Sequence, residues 1–168
     1  MCKLNLIACV NELGEIVNNF NSDQRIKQDL IRFKQMTKGH IVVMSRKMYE
    51  SIGKPLVNRI NVVITKDSEY KSKHLDENII VYNSIEPILH QCINNNTHEN
   101  RKVFIIGGYE IYKQFINYVD KVELTVVEGI KGDKLFPMIA LDKFQVTNRI
   151  KSSPHETPPY ELVTYVRK

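Results

Sequence analysis

Apolar residues gather in short runs separated by polar, turn-rich segments. The runs are LNLIACV (4–10), HIVVMS (40–45), INVVIT (60–65), NIIVY (78–82), KVFIIG (102–107), KVELTVV (121–127), FQVTNRI (144–150) and YELVTYV (160–166). Several are continuously apolar and β-branched, the pattern of strands covered on both faces. The last two alternate instead, which predicts an antiparallel edge or hairpin. SSPHETPPY (152–160) lies between them and reads as a proline-punctuated loop. Helical periodicity falls between the earlier runs. Ile26, Leu30, Phe33 and Thr37 recur at i, i+4, i+7 and i+11, which predicts an amphipathic helix through KQDLIRFKQMT (27–37). A short helix is expected after Ser45-Arg46-Lys47, ending at Gly53. SIEPILHQCINN (84–95) opens on Ser84 as a cap, with Glu86 and Pro87 in the first turn. YEIYKQFINYV (109–119) follows directly on a strand and Gly107-Gly108. NNNTHENRK (94–102) is polar and reads as an exposed loop. Strands alternating with helices and then pairing with each other predict an α/β fold, a mixed sheet with helices on its faces.

The chain has 168 residues, the length of one ordinary domain (1–168) able to bury a core. No apolar stretch is long enough for a transmembrane helix. MCKLNLIACV has no small-residue cleavage site after it, so residues 4–10 read as a buried first strand and the expected location is cytoplasmic. Cys2, Cys9 and Cys92 form no C-x-x-C pair, which suits a reducing compartment. His40, His74, His90, His98 and His155 are dispersed without ligand spacing, so no metal site is expected. The net charge of +5 comes from Lys and Arg spread along the chain. That distribution suits solubility or an anionic small ligand and lacks the clustered footprint of nucleic-acid binding.

Three stretches carry chemistry. Asp29 stands at the border of the apolar stripe formed by Ile26, Leu30 and Phe33. A half-buried carboxylate suits a flat N–C–NH2 edge and can help deliver one proton, although an acid near a helix N-terminus is also favoured simply by the helix dipole. Gly107-Gly108 ends a buried strand where a helix begins, so a ligand can approach the backbone closely. It is also what a tight turn requires. Ser45, Arg46 and Lys47 stand where a strand hands over to a helix, and Thr65-Lys66 ends the next strand. Together they could form an anion patch at the carboxyl ends of neighbouring strands, whereas each charge alone is an ordinary exposed residue.

In combination these stretches resemble dihydrofolate reductases. That family's D-L-x-x-F-K-x-x-T helix is met by Asp29-Leu30, Phe33-Lys34 and Thr37. Its M-G-R-x-T-W/Y/F-E-S-I-G segment is met by MSRKMYESIG (44–53), and its R-P-L-P-x-R-x-N-x-V run by KPLVNRINVVIT (54–65). VFIIGGYEIY (103–112) is similar to the I-G-G-x-x-x-Y turn, and LTVVEGIKGDKLFP (124–137) to the L-T…G-D-x-x-F-P stretch. The likeness covers essentially the whole chain in order. It implies an eight-stranded mixed sheet, mostly parallel with an antiparallel C-terminal strand, flanked by four helices. It implies NADPH-dependent reduction of 7,8-dihydrofolate by a monomer that also binds antifolate-type small molecules, with no nucleic-acid or membrane partner.

By the same resemblance Asp29 is the catalytic acid. Ile7, Leu30, Phe33, Ile52, Leu56, Ile106 and Tyr112 would surround the substrate, Arg59 would pair with the glutamate tail, and Thr125 would orient Asp29. The cofactor would be met by Cys9, Ile16, Ser45, Arg46, Lys47, Met48, Thr65, Lys66, Gly107, Gly108, Tyr109, Glu110 and Ile111. Arg46, Lys47, Thr65 and Lys66 would face its 2′-phosphate. The departures cluster near the ligand. Asp23 and Gln24 stand in place of the family's L-P-W, and Val17 in place of a lid glycine. Ser45 replaces a glycine, Tyr109 a small residue, and Val57-Asn58 the common Pro-Gly. Two further readings share the fold, a reductase of another pterin or pyrimidine and a non-enzymatic binding protein. Retention of Asp29, Phe33 and Arg59 together favours dihydrofolate.

Overall fold

The eight apolar runs become eight strands of one sheet in the computed structural model, which describes residues 3–18, 20, 26–94 and 100–168. The strands are β1 (Leu4–Asn11), β2 (Ile41–Ser45), β3 (Ile60–Ile64), β4 (Ile80–Tyr82), β5 (Val103–Gly107), β6 (Lys121–Val127), β7 (Phe144–Lys151) and β8 (Tyr160–Arg167). Their order across the sheet is β4-β3-β2-β5-β1-β6-β8-β7. β8 pairs antiparallel with both β6 and β7, so it alone runs against the rest, as the resemblance implies. β1 and β5 lie at the centre and are buried at every position, which accounts for their unbroken apolar runs. β7 is the edge, exposed along nearly its whole length.

The helices are α1 (Lys27–Thr37), α2 (Arg46–Ile52), α3 (Tyr70–Lys73), α4 (Glu86–Ile93) and α5 (Tyr109–Phe115). The expected stripe is realised on α1, where Phe33 and Thr37 are buried and Ile26 is buried just before the first turn. α3 is a single turn beyond the four helices expected. At α4 the residue in the cap position is Ile85 rather than Ser84, and no side chain caps the helix. Glu86 and Pro87, both in the first turn, are the start signals that hold, and Pro87 there needs no N–H partner. Cys2, Asp23, Gln24, His98 and most of the polar stretch 94–102 lie outside the described residues.

Two main-chain connections shape the upper end of the sheet. After β1 the chain folds back, with Val17 N–H donating to the Cys9 carbonyl at 2.8 Å. The segment 14–16 is strapped to the connection after β6: Ile16 N–H donates to Lys134 O (2.8 Å), Asp133 N–H to Ile16 O (3.0 Å) and Phe136 N–H to Gly14 O (2.8 Å).

The largest wholly buried side chain is Phe115 on α5, packed in the main core with Leu6, Ile105 and Val122. Phe115→Ala is expected to cost roughly 3–5 kcal/mol in urea denaturation. A loss under about 1 kcal/mol would mean that α5 does not seat on the sheet as described.

Candidate active site

β1 and β5 are paired only at their starts. Their register runs from Leu4↔Val103 to Leu6↔Ile105 and stops there, while β1 stays paired with β6 as far as Asn11↔Val127. Past Leu6 and Ile105 the neighbouring strands part, and their carbonyls need other partners. Buried Tyr112 on α5 provides one, its hydroxyl lying 2.8 Å from both Ile7 O and Ile106 O and sharing its proton between them. Burial, and secondarily the nearby Cys9 and Asp29, pushes this phenol up, so it remains a donor. Gly107 then turns the backbone with φ 119°. A Cβ there would stand 2.8 Å from Tyr112 Oη and 2.9 Å from Met48 Cε, so only glycine meets both demands.

The parting leaves a cleft of about 350 Å³. One wall comes from β1 and α1, which contribute Ile7, Cys9, Asp29, Leu30 and Phe33. The other comes from the ends of β2 and β5 and the helices that follow, with Ser45, Lys47, Met48, Ile106, Gly108, Tyr109, Glu110 and Tyr112. Ile16 and Val17 close one side.

Asp29 is half-buried and faces this cleft, and the Thr125 hydroxyl donates to its Oδ1. Its charge is felt by its neighbours: burial first and then Asp29 push the Cys9 thiol up, which keeps Cys9 neutral and unreactive. Behind Asp29, Arg32 Nη2 pairs with Glu123 Oε2 at 2.8 Å. Glu123 is buried and also accepts from Thr164 Oγ1 at 2.7 Å, with Lys121 Nζ 3.5 Å away. Positions 29 and 32 are neighbours on one helix face, and 123 and 125 share one face of β6. The helix therefore meets the strand through two polar pairs in register.

Ile52, Leu56 and Arg59 lie beyond the cleft lining but continue the same apolar surface. Ile52 and Leu56 pack on the cluster containing Phe33. The Arg59 guanidinium lies 5.9 Å from the Phe33 ring centroid, donating from Nε to Val57 O (2.9 Å) and from Nη1 to Thr37 Oγ1 (3.1 Å). Of five guanidinium N–H groups, two are used in these bonds, leaving three. Burial lowers the Arg59 pKa, yet a guanidinium stays charged at neutral pH.

Arg46 and Lys66 are exposed and Thr65 is buried, all outside the cleft lining. Thr65 Oγ1 accepts from Asp67 N at 3.2 Å. The Glu69 backbone N–H foremost, with Lys73 and Arg46, holds the Asp67 carboxyl below its ordinary range. Ile111 does not reach the cleft, contrary to expectation. Its side chain is 2% exposed in the core and its N–H donates to Gly108 O.

The geometry matches the family that the motifs resemble, and the family model described as dihydrofolate reductase covers residues 3–167. The chain belongs to the dihydrofolate reductase family. It is 36% identical to the dihydrofolate reductase of Staphylococcus aureus over 146 residues, 85% of this chain and 84% of that one. It is 30% identical to that of Staphylococcus haemolyticus over 165 residues, 98% of this chain and 94% of that one. Among solved structures it is similar to dihydrofolate reductase from Enterococcus faecalis complexed with NADP(H) and RAB-propyl, with a TM-score of 0.83 and 25% identity, covering 99% of this chain and 96% of that one.

Against the dihydrofolate reductase pattern, three of the described departures acquire a local role. Val17 is buried with Cys9, Ile26, Val127 and Ile130, adding apolar contact that a glycine could not make. Asn58 adopts the left-handed φ of 60°, which Asn tolerates where the family's glycine is missing. Tyr109 stands 5.1 Å from Lys134 Nζ, a cation over an aromatic face. Sequence reasoning missed Phe20, which meets Phe33 edge-on at 5.2 Å and lines the cleft. It also missed Asn18, whose amide donates to Ser51 Oγ at 2.9 Å, and Asp133, Lys134, Arg32 and Glu123.

Removing Arg32 takes the nearest cation from a buried carboxylate. Arg32→Met is expected to cost about 3 kcal/mol by denaturant titration, since Thr164 and Lys121 still serve Glu123. An unchanged midpoint would deny the pair any part in holding α1.

Proposed function

We propose that the protein reduces 7,8-dihydrofolate to 5,6,7,8-tetrahydrofolate with NADPH. The observation that carries this is the position of Asp29: a carboxylate held by Thr125 beside the apolar side chains of Ile7, Leu30 and Phe33, across from a glycine turn. Such a group can grip the pterin 2-amino group and N3 through one edge. It can promote protonation of N5, directly or through a water molecule, and a single partly buried acid suffices for one proton. Thr125 fixes the carboxylate's orientation. Ile7, Leu30, Phe33 and Ile106 hold the ring in place and exclude water around it. Ile52 and Leu56 would carry the aminobenzoyl group, and Arg59 would offer its three remaining N–H donors to the α-carboxylate of the glutamate tail.

The far end of the cleft fits an anionic dinucleotide. A Cβ built on Gly108 meets nothing nearer than Ser45 Oγ at 4.0 Å, so ligand can approach the backbone. Lys47 and Lys134 bring positive charge to the same cleft. Cys9, Ile16, Met48, Tyr109 and Glu110 would line this portion, with Arg46, Thr65 and Lys66 beyond it on the 2′-phosphate. When bound, NADPH supplies a hydride from nicotinamide C4 to pterin C6. Among the described residues no helix is long and apolar enough to cross a membrane, and Cys9 and Cys92 are buried thiols suited to a reducing compartment. The protein would act as a cytoplasmic monomer on small molecules.

The test is loss of reduced-nicotinamide absorbance on mixing protein, NADPH and dihydrofolate; no turnover would reject the proposal. Asp29→Asn should lower the rate at neutral pH at least about 100-fold, the scale of general-acid assistance. Its rate should climb as pH falls, because solution must then supply the proton. A mutant with a wild-type pH profile would exclude Asp29 as the acid. Arg59→Ala should raise KM for dihydrofolate roughly 10- to 100-fold, the worth of a charged hydrogen-bonded pair, with little change for NADPH. Equal effects on both would contradict the assignment.

A further inference from the structure

Ser45 stands where the family usually has glycine, and its hydroxyl is already an acceptor twice over. Met48 N–H and Gly108 N–H both donate to Ser45 Oγ, each at 3.1 Å. A hydroxyl has two lone pairs and one proton. The two amides occupy the lone pairs, and the proton has no acceptor among the described residues although Ser45 lines the cleft. The Gly108 amide is in turn engaged by the protein, and its donor capacity passes through Ser45.

The contacts continue on the other side of Gly108. The next residue, Tyr109, presents its ring to Lys134 Nζ at 5.1 Å. Lys134 makes no salt bridge among the described residues. Its main chain is pinned by the bond from Ile16 N–H. Glu110 and Asp133 share the rim and would repel an anion, so an unpaired ammonium there has a use.

We propose that Ser45 and Lys134 form a two-sided clamp on the cofactor's pyrophosphate, Ser45 donating its hydroxyl proton and Lys134 its ammonium N–H. The clamp deepens the cofactor reading above and rests on it. The departures Ser45 and Tyr109 then belong together: one relays a backbone amide, and the other positions a cation carried by the strapped loop.

The experiment measures affinities of NADPH, adenosine 2′,5′-bisphosphate and adenosine 2′-monophosphate by calorimetry, at low and high salt, for the full-length wild type and for Ser45→Ala and Lys134→Gln. Each substitution should weaken NADPH and the bisphosphate about ten-fold, the scale of one hydrogen bond to a charged group. Neither should change the monophosphate, which has no 5′-phosphate. The Lys134→Gln deficit should shrink as salt rises. Tyr109→Leu, which leaves Lys134 untethered, should reproduce part of that deficit. Wild-type NADPH affinity in both Ser45→Ala and Lys134→Gln overturns the clamp. So does an equal loss for the monophosphate, which would mark a general disturbance of α2. Failure of the wild type to bind NADPH removes the cofactor reading and the clamp with it.

Discussion

The parting of β1 and β5 after Leu6 and Ile105 is the constraint on which the site depends. Two adjacent parallel strands at the centre of a sheet ordinarily satisfy one another's backbone groups to their ends. Here the ladder is broken, and a buried phenol, Tyr112, takes over the orphaned carbonyls. That leaves an opening in the middle of the fold, with no Cβ on Gly108 to narrow it. Strand ends, α1 and α5 then face one another across a gap sized for a small heterocycle rather than for more core.

Much of this was legible in the sequence because it is local. Unbroken β-branched runs mark strands covered on both faces, and a 3.6-residue stripe places Asp29 at the edge of apolar packing. The rest depends on pairs that no local pattern announces. Arg32 and Glu123 are 91 positions apart, and each alone reads as a solvated charge. A hint did exist, since Lys121, Glu123 and Thr125 alternate through an otherwise apolar strand and so define one polar face. α3 is a single turn, too short to show a period. Phe20 and Lys134 enter the cleft from irregular segments, where neither helix nor strand spacing reports which way a side chain points.

The departures from the family pattern are not scattered damage. Val17 turns a position usually held by glycine into a small apolar anchor, Asn58 keeps a left-handed backbone without glycine, and Ser45 ties the end of β2 to the turn after β5. Asp29, Phe33, Arg59 and Thr125 keep their family identities and, in this fold, their mutual contacts. Variation has been absorbed around the chemistry.

The strap between residues 14–16 and 133–136 consists wholly of amide-to-carbonyl bonds. Such bonds are indifferent to the identity of the residues that bear them. The rim beside the ligand can therefore drift widely in charge and bulk over evolutionary time while its tether persists. Proline at position 16, 133 or 136 is barred because it deletes a donor outright, and position 14 keeps its glycine because its φ of 82° strains any other side chain.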